Sequence, residues 1–205
     1  MIRDRGYLIP PEEEKLYVDT AVSSTLSTYV DTYMKAALSQ GYDSIRKFLN
    51  RIYVHNKTKR TILVYYAHSP TKDKLEGEVV KGFIAEAQKH AHSILITPQV
   101  LQSKAEDNLS ALDRNNYQIF LEKELTFNVT RHIIVPKHTL LNPLQNATFL
   151  KKIKATLSQL PVIKKTDPVV KYYKWPANGI VRINRYEYFL PVLVKKSVYY
   201  RRIVD

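Results

Sequence analysis

The chain has 205 residues, 44% of them hydrophobic and 25% charged, with no cysteine and a formal net charge of +13. That length accommodates one large or two small cores, and the balance excludes wholesale disorder. Disulfides and thiolate zinc sites are excluded, and no run reaches the roughly 18 apolar residues of a membrane span, so an intracellular protein with no membrane partner is expected.

Arg5-Gly6-Tyr7 opens the chain and reads as a turn, followed by Ile9-Pro10-Pro11 and the acidic Glu12-Glu13-Glu14. Val22, Leu26, Tyr29, Val30, Tyr33 and Ala37 keep helical spacing, with a stop at Gly41. Ile45, Phe48, Leu49 and Ile52 suggest a second helical piece. Residues 61–67 (TILVYYA) are β-branched and aromatic, the pattern of a buried strand. Leu75, Val79, Val80, Phe83, Ile84 and Ala87 form one helical stripe leading into a strand over Ser93–Thr97. A helix is expected within residues 99–113, and a strand over residues 125–129 with Phe127 and Val129 on one face. Strand, helix, strand, helix, strand predicts an α/β unit with parallel pairs.

Composition changes near residue 130. Residues 1–130 hold 17 Lys and Arg against 16 Asp and Glu, whereas residues 131–205 hold 15 against three. The basic excess is therefore almost entirely C-terminal, and the break predicts two domains, 1–130 and 131–205. In the second, Ile133-Ile134-Val135 reads as a strand. Asn142-Pro143 starts a helix with Phe149, Ile153, Leu157 and Leu160 on its buried face and Lys151, Lys152 and Lys154 opposite. Pro161 removes a backbone donor and stops that helix. Asp167 offers an N-cap oxygen and Pro168 suits the first helical position, so a short apolar helix follows through Val169, Val170, Tyr172 and Tyr173. After an Asn178-Gly179 turn come strands over residues 180–184 and 197–204, completing a small α+β domain.

Few residues carry recognisable chemistry. Gly77 and Gly82 have the spacing of a phosphate loop but lie in an apolar helical stripe and lack the following Lys-Ser/Thr. No Gly-x-Ser-x-Gly elbow exists. His90 and His92 are too close in sequence to share a helical face, and His132 and His138 flank an apolar stretch, so no metal or other cofactor is expected. A metal-dependent nuclease would need an acid and an acid-x-Lys on adjacent strands. Glu13-Glu14-Lys15 lies outside a strand and Glu122-Lys123-Glu124 has the wrong order. A free-standing nucleic-acid-binding protein is the stronger alternative. The C-terminal domain nets +12, and Tyr172, Tyr173, Tyr186, Tyr188, Tyr199 and Tyr200 could stack on bases or equally fill a core.

Two ordered motifs are more specific. Leu160-Pro161-Val162-Ile163 with Asp167-Pro168-Val169-Val170-Lys171-Tyr172, and His132-x-x-Val135-Pro136-Lys137-His138 upstream, resemble the assembly domain of the fifth subunit of eukaryotic-type RNA polymerases and its archaeal counterpart. Arg5-Gly6-Tyr7 with its acidic stretch resembles the start of that family's N-terminal jaw. The resemblance implies a restriction-nuclease-like α/β jaw domain plus an α+β assembly domain, in a non-catalytic subunit of a DNA-directed RNA polymerase. It implies that the C-terminal domain anchors to the largest polymerase subunit among others, through His132, Pro136, Lys137, His138, Leu160, Pro161, Asp167, Pro168, Val169, Tyr172, Arg185, Tyr200 and Arg201. The jaw would lie beside downstream duplex DNA, with Thr97 and Pro98 DNA-proximal and binding weak and non-specific.

The sequence also departs from the family pattern. Gln99 and Val100 replace a Ser and an Ala after Thr97-Pro98, and Lys174 replaces a glycine. A longer apolar segment, Tyr186–Lys196, replaces a short loop. Such divergence suits a homologue from a large cytoplasmic DNA virus, located in host cytoplasm and virion; a cellular homologue would be nuclear.

Overall fold

The computed structural model describes residues 1–11, 13, 35, 38–39, 49–67, 77–189 and 193–205. It divides into two compact units, Ile2–Phe127 and Asn128–Asp205. The helix expected over residues 22–37 lies almost wholly outside the described residues, as do Ile45, Phe48 and Leu75.

The N-terminal unit is built on a four-stranded sheet: β1 (Arg51–Val54), β2 (Thr61–Tyr66), β3 (His92–Thr97) and β4 (Tyr117–Leu121), in that spatial order. Strands β2, β3 and β4 are parallel, and β1 pairs antiparallel to β2. Helix α1 (Gly77–Ala87) connects β2 to β3, and α2 (Ser103–Leu109) lies between β3 and β4. The expected stripe is the buried one. Val80 and Phe83 of α1 are completely buried and join Leu63, Leu95, Leu101, Ala105 and Leu109 in one core. Every residue of β3 is buried, as a central parallel strand requires.

Two sequence expectations fail in this unit. Ile52 belongs to β1, not to a helix, because Arg51–Val54 pairs residue by residue with Thr61–Val64. Residues 125–129 form no strand. Glu122–Leu125 and Val129–Arg131 are 3-10 turns, and the edge position is taken by β4. Capping explains the first turn, since the Leu121 N–H donates to Glu124 Oε2 at 2.9 Å. The Arg5-Gly6-Tyr7 motif packs against the β1–β2 hairpin. Gly6 has φ 90°, and a Cβ there would lie 2.9 Å from His55 Nε2, so both conformation and space require glycine. Tyr7 forms a β-bridge with His55, and their rings meet edge to face.

The C-terminal unit holds a second four-stranded sheet in the order β5-β7-β8-β6. These are β5 (Lys137–Leu140), β6 (Val162–Lys164), β7 (Ile180–Phe189) and β8 (Leu193–Val204), with α3 (Pro143–Ile153) and α4 (Pro168–Tyr173) between them. β7 and β8 form a long antiparallel hairpin, while β6 runs parallel to the end of β8. Both hairpin strands extend well past their expected bounds. Pairing continues to Phe189–Leu193, so the longer Tyr186–Lys196 segment lengthens the hairpin.

The expected Ile133–Val135 strand is instead a turn. The Val135 N–H donates to the His132 carbonyl, and the Ile134 N–H donates to His132 Nδ1. Strand pairing begins only at Lys137, beyond Pro136.

Helix α3 also ends earlier than Pro161. Asn142 and Gln145 form a reciprocal capping box at its start. Lys154 then adopts a left-handed conformation (φ 52°) and Ala155 returns a hydrogen bond to the Leu150 carbonyl. The expected buried face is therefore divided. Phe149 stacks on Tyr200 at 4.0 Å, but Ile153 is exposed, Leu157 sits in a separate 3-10 turn, and Leu160 is buried beyond it. Pro161 follows the end of that 3-10 turn rather than of α3: Leu160 before it is extended (φ -74°, ψ 142°), and the Pro161 carbonyl accepts from the Arg202 N–H.

Candidate docking groove

Helix α4 forms as its residues dictate. Asp167 Oδ1 accepts from the N–H groups of Val169 (2.9 Å) and Val170 (3.4 Å), and Pro168 occupies the first turn, where its missing donor costs nothing. Val169, Val170 and Tyr172 are buried. Lys174 ends the helix in a left-handed conformation (φ 54°), where a glycine would carry no side-chain penalty.

The sheet register sets Val181, Ile183 and Arg185 of β7 on one face with Tyr199, Arg201 and Ile203 of β8. β5 adds His138 and Leu140 to that face, and β6 adds Ile163. Val170 covers one part, closing a small core with Ile163, Val181, Ile183 and Ile203, flanked by Trp175. The remainder is an open groove of about 400 Å³. Val129, Val135, Pro136, His138, Ile163, Asp167, Pro168, Val169, Ile183, Arg185, Tyr199 and Arg201 line it.

Of the residues implied as interface by resemblance, the groove gathers Pro136, His138, Asp167, Pro168, Val169, Arg185 and Arg201. The others lie elsewhere. His132 is exposed and organises the 132–135 turn, while Lys137 is exposed at the start of β5. Leu160 is buried, and Pro161 serves the sheet through its carbonyl. Tyr172 is buried and its Oη accepts from Asn128 Nδ2 at 3.1 Å, tying the 128–131 turn to α4. Tyr200 is occupied by Phe149. Sequence reasoning assigns no interface role to Val129, Val135, Ile163, Ile183 and Tyr199. The last three alternate with outward residues on strands, and pairing is needed to place them beside Arg185 and Arg201.

The groove is apolar along its floor and basic along β7–β8. Arg185 lies over the Tyr199 ring with its Cζ 5.9 Å from the centroid. Arg201 Nη1 donates to the Val162 carbonyl at 3.3 Å. His138 Nδ1 meets the Pro136 carbonyl at 2.6 Å, which places the proton on Nδ1 and fixes the ring. Several of the tyrosines considered for base stacking have partners inside the unit. Tyr172 meets Tyr173 edge to face, Tyr173 stacks parallel to Trp175 at 4.8 Å, and Tyr200 stacks on Phe149.

The N-terminal unit offers no comparable site among its described residues. None of the four strands among the described residues carries a carboxylate, so these strands do not supply the strand-borne acids a metal nuclease needs. Glu13 accepts from Tyr53 Oη at 2.6 Å and Glu124 caps its own turn. His90 bonds Thr61, and His92 bonds the Asn116 carbonyl. No group of three or more His, Asp or Glu is placed to hold a metal among the described residues. Thr97 is fully buried at the end of β3, so Pro98, Gln99 and Val100 are what this turn presents at the surface.

Comparison with known proteins agrees with the motifs. Residues 127–203 match the family described as RNA polymerase Rpb5, C-terminal domain. The chain is 28% identical over 193 residues to DNA-directed RNA polymerase V subunit 5A of Arabidopsis thaliana, covering 90% of this chain and 76% of that protein. It is 25% identical over 188 residues to DNA-directed RNA polymerases I, II, and III subunit RPABC1 of Caenorhabditis briggsae, covering 90% and 83%. Identity reaches 39% over 90 residues with the rpabc1 subunit of Dictyostelium discoideum, covering 44% and 45%. The C-terminal unit thus carries an Rpb5 C-terminal domain, and the chain's homologues are RNA polymerase subunits.

Proposed function

We propose that this chain is a non-catalytic subunit of a multisubunit DNA-directed RNA polymerase. Its C-terminal unit anchors to the largest subunit, and its N-terminal unit acts as the jaw beside downstream DNA. The observation that carries the reading is similarity to polymerase subunits across 90% of the chain, joined to an Rpb5 C-terminal domain at residues 127–203. The physical character of the units supports the division of labour. The C-terminal unit has an uncovered apolar and basic face, as an anchoring element requires. Nucleotidyl transfer would belong to other subunits.

The jaw contributes position rather than affinity. Charges in residues 1–130 nearly cancel, and a single surface turn at Pro98 neutralises few phosphates, so DNA contact is weak and sequence-independent. The protein works wherever its polymerase works: the nucleus, or host cytoplasm and virion for a cytoplasmic DNA virus.

Co-expression with the largest polymerase subunit tests the reading. A complex that survives moderate salt is expected. Failure to co-purify would sink it, and tight DNA binding by the chain alone with a steep salt slope would favour a nucleic-acid-binding protein instead.

A further inference from the structure

The turn before β5 holds the most exposed large apolar side chains among the described residues. Ile133 is 93% exposed and Ile134 is 81% exposed. Neighbouring isoleucines left in water next to an apolar groove mark a surface that is covered in the working state. Val135 and Pro136, which follow directly, line the groove, so turn and groove form one continuous surface.

Charge says what covers it. Arg185 and Arg201 stand on one face of β7–β8, and neither has an ion-pair partner among the described residues. The lining contains one carboxylate, Asp167, already engaged as the N-cap of α4. We infer that this surface takes an acidic polypeptide segment of another polymerase subunit, its carboxylates on Arg185 and Arg201 and an apolar side chain against Ile133, Ile134 and Val169. The source of the segment rests on the polymerase reading; the chemistry of recognition rests on the groove.

Guanidinium pairs bind carboxylates in fixed geometry, and an apolar anchor supplies the burial that charge alone does not. Nucleic acid fits less well. Its backbone carries no side chain for the isoleucines, and the Tyr199 ring that a base would use lies under Arg185.

The test has two arms. In the first, the full chain is titrated with a 12-residue peptide alternating Glu and Leu, with its Lys-Leu counterpart, and with a 12-nucleotide oligodeoxythymidine. Binding of the acidic peptide is expected, weakened at least tenfold by Arg185→Glu with Arg201→Glu and severalfold by Ile133→Ser with Ile134→Ser. An unchanged unfolding midpoint in Trp175 fluorescence confirms that the variants fold. Binding of the oligonucleotide in preference to the acidic peptide, or indifference to either pair of substitutions, overturns the inference.

In the second arm, a photoreactive phenylalanine at position 199 is carried into the co-expressed complex and the crosslinked segment is sequenced. A segment with net negative charge and an apolar residue is expected. A neutral or basic segment overturns the groove assignment while leaving the polymerase reading intact. A chain that binds the acidic peptide but joins no polymerase subunit overturns that reading, and the source of the segment with it.

Discussion

Strand β3 of the N-terminal unit is buried along its whole length, whereas helix α3 of the C-terminal unit buries none of its residues. The contrast extends beyond those elements. The first unit layers α1 and α2 on parallel strands over a core reaching from Leu63 to Leu109. The second packs Ile163, Val170, Val181, Ile183 and Ile203 in one core cluster and leaves Ile133, Ile134, Leu144 and Val162 in water. Its charge is also one-sided. The first unit also leaves Leu8, Ile52, Val100 and Phe127 exposed, so the difference lies in setting: in the second, the exposed isoleucines precede residues that line an apolar groove beside Arg185 and Arg201. Stability should therefore be concentrated in the first, and binding in the second.

The largest expected effect tests that division at the core of the first unit. Phe83→Ala empties a completely buried position packed against Tyr65 and should cost about 3–5 kcal/mol. Circular dichroism should register the loss, while the fluorescence of Trp175, the single tryptophan, should keep its midpoint. A parallel fall in both signals would break the comparison, because the units would then be unfolding as one.

Asp167→Ala removes the oxygen that caps α4 and should lower stability of the C-terminal unit by about 1 kcal/mol, read in the Trp175 transition under urea. Lys174→Gly should act in the opposite direction. Relief of the left-handed conformation exceeds the added freedom of the unfolded chain, for a gain of about 0.5–1 kcal/mol. Ile133→Ser should change stability by less than about 0.5 kcal/mol, since an exposed side chain has little burial to lose. A large loss there would mean that the turn belongs to the core.

The smallest effect is alkaline and belongs to the first unit. Burial pushes the Tyr117 hydroxyl above its ordinary 10.0, with Arg114 opposing. Its stabilising contribution is complete below pH 10.0 and is lost as pH rises through the folded-state value. Tyr117→Phe should flatten the fall in unfolding midpoint above pH 10, with absorbance at 295 nm following the phenolate.

These contrasts are unequally legible in the sequence. The strands at residues 61 and 93, the stripe through Val80 and Phe83, and the Asp167-Pro168 helix start all follow from local pattern, because burial period and capping chemistry are local properties. The 133–135 turn escapes local pattern because three β-branched residues in a row have strand propensity, and only the His132 ring contact and the delayed pairing at Lys137 overrule it. The early end of α3 is hidden for a related reason. Lysine has no preference for the left-handed region, so Lys154 carries no stop signal, and Pro161 takes on the look of the terminator. Half of the groove is named through motif resemblance. Ile183 and Tyr199 require the β7–β8 register, which no single segment encodes.

The position of Ile203 has a consequence for biosynthesis. It is completely buried on β8, paired with Ile163 of β6 on one side and donating its N–H to the Gly179 carbonyl, just before β7, on the other. The second unit therefore lacks a central core residue, and β6 lacks its only partner, until the ribosome has released the chain through residue 204. The first unit, whose last described strand ends at Leu121, can fold on the nascent chain. For the time needed to translate the intervening residues, a folded first unit would tether an unfolded, strongly basic segment, a window in which a chaperone or an assembling partner subunit would meet it first.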